Sequence, residues 1–328
     1  MFTSILVPLD GSPFAERALP VALGLARRSQ ARIELVHVDD PRLYPSGIPM
    51  PDPRLDSERR TGVHHALDAL AGQLAARNAS EIRVTCLEGP VAQTLEDYIT
   101  SSGPDLVVMS THGEGGLSRL WLGSVADHLV RHSPVPLLLV RPGATGAAHG
   151  EPLFRHILVP LDGSTLAERA LEHAVSLATP GQTAFTLLQV VVPVSVAPQP
   201  YTPTGVAING ENMDQRVRDV KTYLERLRGE LAENGFDAAA RVVAHWSIAS
   251  SILEYAGEHE VDLIELATHG RGGVARLLLG SVADKLVRGA QTPLLIYHPP
   301  SADDTASPQT IAEPVGARGV HPPISTVE

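Results

Sequence analysis

The chain has 328 residues, 43% of them hydrophobic and 19% charged, which is enough for two domains with buried cores and excludes global disorder. Its formal net charge of -11 argues against a dedicated nucleic-acid binder, whose affinity rests on clustered Lys and Arg. One cysteine, Cys86, excludes an intrachain disulfide; with no basic leader before Asp10 and no apolar run of membrane-spanning length, a reducing, cytoplasmic setting is expected.

In chain order, Ser4–Leu9 is an unbroken apolar run, the pattern of a parallel strand buried on both faces, and Phe14–Arg28 follows as a helix. Arg32–Val38 is a second strand, Asp39–Asp56 a Pro-rich loop and Ser57–Arg77 a second helix. Arg83–Leu87, Val91–Ser101, Asp105–Ser110, Ser124–Arg131 and Pro136–Val140 continue as strand, helix, strand, helix and strand. Pro142–Pro152 is a linker by composition. The order then returns, with strands near Arg155–Leu161, Ala184–Val191, Ala239–Ala244, Asp262–Ala267 and Pro293–Tyr297. Met213–Glu233 is an amphipathic helix, carrying Val217, Val220, Leu224, Leu227 and Leu231 at three- and four-residue spacing. Residues 299–328, rich in Pro, Ser, Thr and Ala, are expected to be a disordered tail. Alternating short apolar strands and helices imply right-handed crossovers and an α/β fold with a parallel sheet covered on both faces.

The second half repeats the first. Ile5–Ser12 and Ile157–Ser164 both read ILVPLDGS, followed by AERALPVALGLA and AERALEHAVSLA. Ser110–Ser124, STHGEGGLSRLWLGS, returns as Ala267–Ser281, ATHGRGGVARLLLGS. The chain is therefore a tandem duplication, with domains expected at 1–142 and 154–298 around a linker, 143–153. In each copy a strand runs into a glycine-rich loop and then a helix start. That arrangement suits phosphate: glycines let backbone N–H groups approach an anion, and a helix N-terminus offers unpaired donors and the positive dipole end.

These paired motifs resemble the universal stress protein family in its tandem form, over nearly all of residues 1–298. The nucleotide-binding branch of that family carries Gly-x-x-Gly, nine residues, then Gly-Ser or Gly-Thr. Here the second glycine is Gly113 or Gly270 and the closing pairs are Gly123-Ser124 and Gly280-Ser281, while Ser110 and Ala267, both small, replace the first glycine. The resemblance implies Rossmann-like domains with strand order 3-2-1-4-5. Ligands of such sheets bind where the strand order reverses, at the C-terminal ends of strands 1 and 4.

By that resemblance Gly113, Gly116, Gly123 and Ser124, with Gly270, Gly273, Gly280 and Ser281, hold the phosphates of ATP. The alternative is a tight turn and an ordinary helix cap. Asp10 and Asp162 would contact ribose hydroxyls or a phosphate-bound Mg²⁺; alternatively each closes its own Asp-Gly-Ser turn. Val38 and Val190 would lie against the adenine, and Pro8, Met109, Val125, Pro160, Leu266 and Val282 flank the same place in the two copies. His112 and His269 would fix the loop or touch ligand. No partner stands near them at the spacing of HExxH or CxxC, so no metal site is expected. Arg119 and Arg276 either reach phosphate or lie on a solvated face. The copies differ at Glu114 and Arg271; a guanidinium neutralises phosphate and a carboxylate repels it, so the second site is expected to bind more tightly. Glu265 stands in a run built for burial, where the first copy has Val108, and needs a partner or a proton.

No G-x-S-x-G, Walker or complete G-x-G-x-x-G motif is present. The expected function is an ATP-binding stress-response regulator; the alternatives are slow ATP hydrolysis or autophosphorylation on a loop hydroxyl such as Ser124 or Ser281, or an interaction protein without nucleotide. Strand 5 of each copy, PLLLV and PLLIY, is an apolar edge that needs cover. The two repeats are expected to pair through it as an intrachain pseudo-dimer, with two chains associating further and no nucleic-acid or membrane partner.

Overall fold

The computed structural model describes residues 2–40, 53–77, 81–111, 122–141, 151–193, 210–268 and 279–297. The first repeat runs β1 (Ser4–Pro8), a short 3₁₀ turn (Ala15–Ala18), α1 (Leu19–Ser29), β2 (Arg32–Asp39), α2 (Pro53–Arg77), β3 (Ile82–Glu88), α3 (Val91–Ser102), β4 (Leu106–Ser110), α4 (Ser124–His132) and β5 (Leu137–Val140). The second runs β6 (His156–Pro160), α5 (Thr165–Leu177), β7 (Ala184–Val191), α6 (Gly210–Glu233), β8 (Asp237–Ala244), α7 (Ile248–Glu258), β9 (Leu263–Ala267), α8 (Ser281–Gly289) and β10 (Leu294–Tyr297). The expected linker falls largely, and the expected tail wholly, outside the described residues.

One local difference has a cause in the sequence. The first helix, expected to be continuous from Phe14, opens as a 3₁₀ turn and becomes α-helical only at Leu19, with Pro20 in its first turn. Proline has no N–H to extend an α-helical ladder backwards. In the repeated segment that residue is Glu172, and α5 is unbroken from Thr165, capped by the Ser164 hydroxyl, which accepts from Ala167 N–H at 3.2 Å.

The strands form a single ten-stranded sheet in the order β3-β2-β1-β4-β5-β10-β9-β6-β7-β8. Each half is therefore 3-2-1-4-5, parallel throughout, and the halves meet where β5 and β10 pair antiparallel. The register there is Leu137↔Ile296, Leu138↔Leu295 and Leu139↔Leu294. Leu138 and Leu295 are the same position of the two repeats, so a pseudo-twofold axis passes between them. The apolar edge that needed cover is covered by its own copy.

Alternation along the strands sends side chains into two cores. One contains Ile5, Val7, Leu35, Val108, Leu138 and Leu295 and is closed by α1, α2, α5 and α6. The other contains Leu6, Val36, Val107, Met109, Leu139 and Ile296 and is closed by α3, α4, α7 and α8. Both cores run through the two repeats without interruption. Among the described residues no helix is long and apolar enough to cross a membrane.

A second matched pair ties the strands in register. Asp105, before β4, accepts from the N–H groups of Thr3 and Ser4 at 2.7 and 3.0 Å. Asp262, before β9, accepts from Arg155 and His156 N–H at the same two distances. Each carboxylate satisfies backbone donors at the start of strand 1 of its repeat.

Candidate functional site

The parallel register Leu6↔Val107 brings the C-terminal ends of β1 and β4 side by side, so that Pro8 lies level with Met109. The chain then leaves β1 toward β2 on one side and β4 toward β5 on the other. This is the reversal point of the sheet, where a crevice opens. The second repeat reproduces it with β6 and β9, through Leu158↔Ile264.

At the end of β1, Asp10 Oδ1 accepts from Ser12 N–H at 2.9 Å around Gly11, whose φ of 85° is a left-handed conformation that glycine adopts without strain. Asp162 Oδ1 accepts from Ser164 N–H at 2.9 Å around Gly163, φ 80°. Each aspartate thus closes its own turn, and each also stands at the rim of the crevice, Asp10 exposed and Asp162 half-buried.

At the end of β4, the Gly123 N–H donates to the Thr111 carbonyl at 3.0 Å, and α4 then begins with Ser124. In the second repeat Gly280 N–H donates to Thr268 at 2.9 Å, and α8 begins with Ser281. The contact is close: a Cβ on Gly280 would stand 2.9 Å from the Thr268 carbonyl oxygen, and one on Gly123 3.5 Å from that of Thr111. The glycines are needed in part for this packing, which is the structural side of the motif.

Both helices start without a side-chain cap. By contrast α5 and α7 are capped by Ser164 and Ser247. Glycine at the N-cap offers no side-chain oxygen to the first-turn donors, so among the described residues no side chain caps the N–H groups at the start of α4 and α8. The hydroxyl-bearing Ser124 and Ser281 are exposed there.

Beside each helix start lies an apolar floor. In the first repeat Val38, Met109 and Leu122 are buried in one cluster with Val125 packed against it. In the second Leu266 is buried with Val190, Leu279 and Val282 against it. Residues from the ends of strands 2 and 4 and from the start of helix 4 thus belong to the same core in both copies, with Ser110 and Ala267 closing β4 and β9. His112, Gly113, Gly116, Arg119, His269, Gly270, Arg271, Gly273 and Arg276 lie outside the described residues.

Two features were not singled out from sequence. Beside the end of β2, Arg59 and Arg60 of α2 line a cleft with His37, Cys86 and Leu87, and both guanidiniums bridge to Asp39, at 2.7 and 3.1 Å. They fall in the poorly patterned N-terminal part of α2, where charge alternation reads as an ordinary solvated face. Trp246, the largest exposed aromatic side chain described, is 64% exposed just beyond β8, at the same C-terminal edge of the sheet as Val190.

The sequence pattern of the Universal stress protein family matches this chain twice, over residues 1–141 and 153–298. A universal stress protein of Mycolicibacterium smegmatis is 29% identical over 309 residues, covering 90% of this chain and 97% of its own. One from Mycobacterium tuberculosis is 27% identical over 294 residues, covering 89% and 95%. The crystal structure of a universal stress protein from Archaeoglobus fulgidus superposes with a TM-score of 0.62 at 19% identity, covering 89% of this chain and 97% of that one, a likeness of fold.

Proposed function

The chain belongs to the universal stress protein family, with two tandem domains, and on that premise we propose that it is a stress-response regulator that binds ATP at both crevices. The observation that carries the reading is the pair of helix starts. The N-cap glycines of α4 and α8 put no side-chain cap on the first-turn donors, which suits an outside anion, and buried apolar residues at each helix start suit a base.

In this reading the backbone N–H groups of Ser124 and Val125, or of Ser281 and Val282, and the serine hydroxyls receive phosphate oxygens. The glycine loops between Gly113 and Gly123 and between Gly270 and Gly280 would complete the phosphate shell. Val38 with Met109, and Val190 with Leu266, form the base contact. Asp10 and Asp162 suit either the ribose hydroxyls or a Mg²⁺ riding on the phosphates, since a carboxylate at a phosphate site needs such a partner. ATP with Mg²⁺ supplies the charge and the occupancy signal; the chain's own groups bind and orient it.

The difference between Glu114 and Arg271 ranks the second crevice above the first. Association of two chains is proposed from the family alone, because β5 and β10, the apolar edges, already satisfy each other.

Calorimetric titration of the full chain with Mg·ATP tests the reading. Saturable binding with a tighter site weakened by Arg271→Glu is expected. No binding at millimolar ATP would contradict the proposal, and equal effects of Arg271→Glu on two equivalent sites would contradict the ranking.

A further inference from the structure

In the first repeat α4 carries His128 and His132 one and two turns after Ser124, and α3 presents Glu96 to them. His128 Nε2 lies 2.6 Å from Glu96 Oε2. The two imidazoles stack with centroids 4.4 Å apart. One ligand atom from each of the three residues falls within 4.8 Å of the others, the one such group among the described residues. His132 Nδ1 is 2.9 Å from the His128 carbonyl oxygen. Donation there fixes the tautomer in which Nε2 keeps its lone pair, the backbone support that metal-binding histidines commonly have.

The duplication supplies a control within the same chain. At the matching positions of the second repeat stand Leu253, Lys285 and Gly289. There the helices close over an apolar contact: a Cβ on Gly289 would come within 2.8 Å of Leu253 Cδ1. The fold at this place therefore needs neither an imidazole nor a carboxylate. In one repeat it is sealed by leucine against glycine, and in the other all three positions carry a metal-capable donor.

We propose that Glu96, His128 and His132 form a binding site for a divalent transition ion of borderline softness, Zn²⁺ being the natural occupant. Two imidazoles and a carboxylate are a common zinc donor set, and a water supplies the fourth ligand where the site is open. The side chains of His128 and Glu96 are 26% and 25% exposed, which gives an ion access while shielding it on the helix side. Tetrahedral zinc with bonds of about 2.0–2.2 Å sets its ligand atoms about 3.3 Å apart, so the His128–Glu96 hydrogen bond opens and the ion replaces its proton. The ion would staple α3 to α4. This site does not depend on the nucleotide reading.

The test is titration of the full chain, stripped with EDTA, with ZnCl₂ in a calorimeter, and with Co²⁺ followed by visible absorption. One equivalent is expected, with cobalt bands of low coordination number, and at least about tenfold weaker binding in both His132→Gln and Glu96→Gln. His132→Gln leaves the His128–Glu96 hydrogen bond in place. Its melting temperature in EDTA should match the parent's, while the zinc-induced rise seen in the parent is lost. A merely structural cluster would show no zinc-induced rise in either protein. Absence of saturable binding, or binding unchanged in both variants and so due to other histidines, would overturn the proposal.

Discussion

At the scale of single residues, Glu265 shows how a side chain can oppose the fold around it. It is fully buried in β9, on the face occupied by Val108 in the first repeat, and among the described residues neither carboxylate oxygen has a hydrogen-bond partner. Burial pushes its carboxyl well above the usual carboxylate range. The native state therefore holds a proton that the unfolded chain releases above about pH 4.3, and stability falls as pH rises from there through the native value. His173, half-buried against Tyr297 and lowered by burial, acts in the opposite sense toward acid, so the difference between parent and variant isolates Glu265. Glu265→Val, the residue of the first repeat, should stabilise by more than about 1 kcal/mol at pH 8 and by less at pH 5, read by denaturant unfolding. An equal gain at both pH values would mean that the buried charge is not the cause.

The motif glycines and serines separate packing from binding. Gly280→Ala forces a Cβ to 2.9 Å from a backbone oxygen and should cost about 1–3 kcal/mol, whereas Gly123→Ala, at 3.5 Å, should cost much less. Aspartate in a first helical turn favours the helix but repels phosphate. Ser124→Asp and Ser281→Asp should therefore hold or raise the melting temperature while each abolishes ATP binding at its own crevice by calorimetry. Retained affinity in both would remove the helix starts from the site. Of these residues the sequence announces the glycines and serines by repetition, but not the Thr111 and Thr268 carbonyls they pack on, because a backbone contact leaves no side-chain signal.

At the scale of elements, the central strands β1, β4 and β5 were legible because strands buried on both faces are near-continuous apolar runs, and α6 because Leu224, Leu227 and Leu231 recur on one face. The ends were less so. Pro20 delays α1, and Asp105 and Asp262 anchor neighbouring strands across a separation in sequence that no local pattern reveals. His128 and His132 were not singled out from the sequence, because their third partner comes from α3 and only the packing of α3 on α4 joins them.

At the scale of the molecule, the pseudo-twofold axis at Leu138 and Leu295 joins two domains into one sheet and two continuous cores. Beside it Arg131 and Arg288 reach Asp284 and Asp127 across the axis at 3.4 Å, a matched pair of contacts. These ions are a quarter to a half exposed, so each pair is worth under about 1 kcal/mol. The leucines are fully buried. Leu138→Asp should therefore lower stability severely and split a single unfolding transition into two, while Arg288→Ala leaves one transition; calorimetric scanning distinguishes them. The pairing of strand 5 with its copy was expected from its uncovered apolar edge, whereas its antiparallel sense and the ion pairs were not, since the charged partners meet only once that pairing exists.

The central claim is that both crevices hold ATP, and it is tested most directly by denaturing freshly purified chain and identifying released nucleotide by mass spectrometry, with stoichiometry. The account predicts ATP at about one to two per chain, the lower value reflecting the weaker first crevice. No nucleotide, followed by no calorimetric binding with Mg²⁺, would contradict it and leave a protein that works through its surfaces alone.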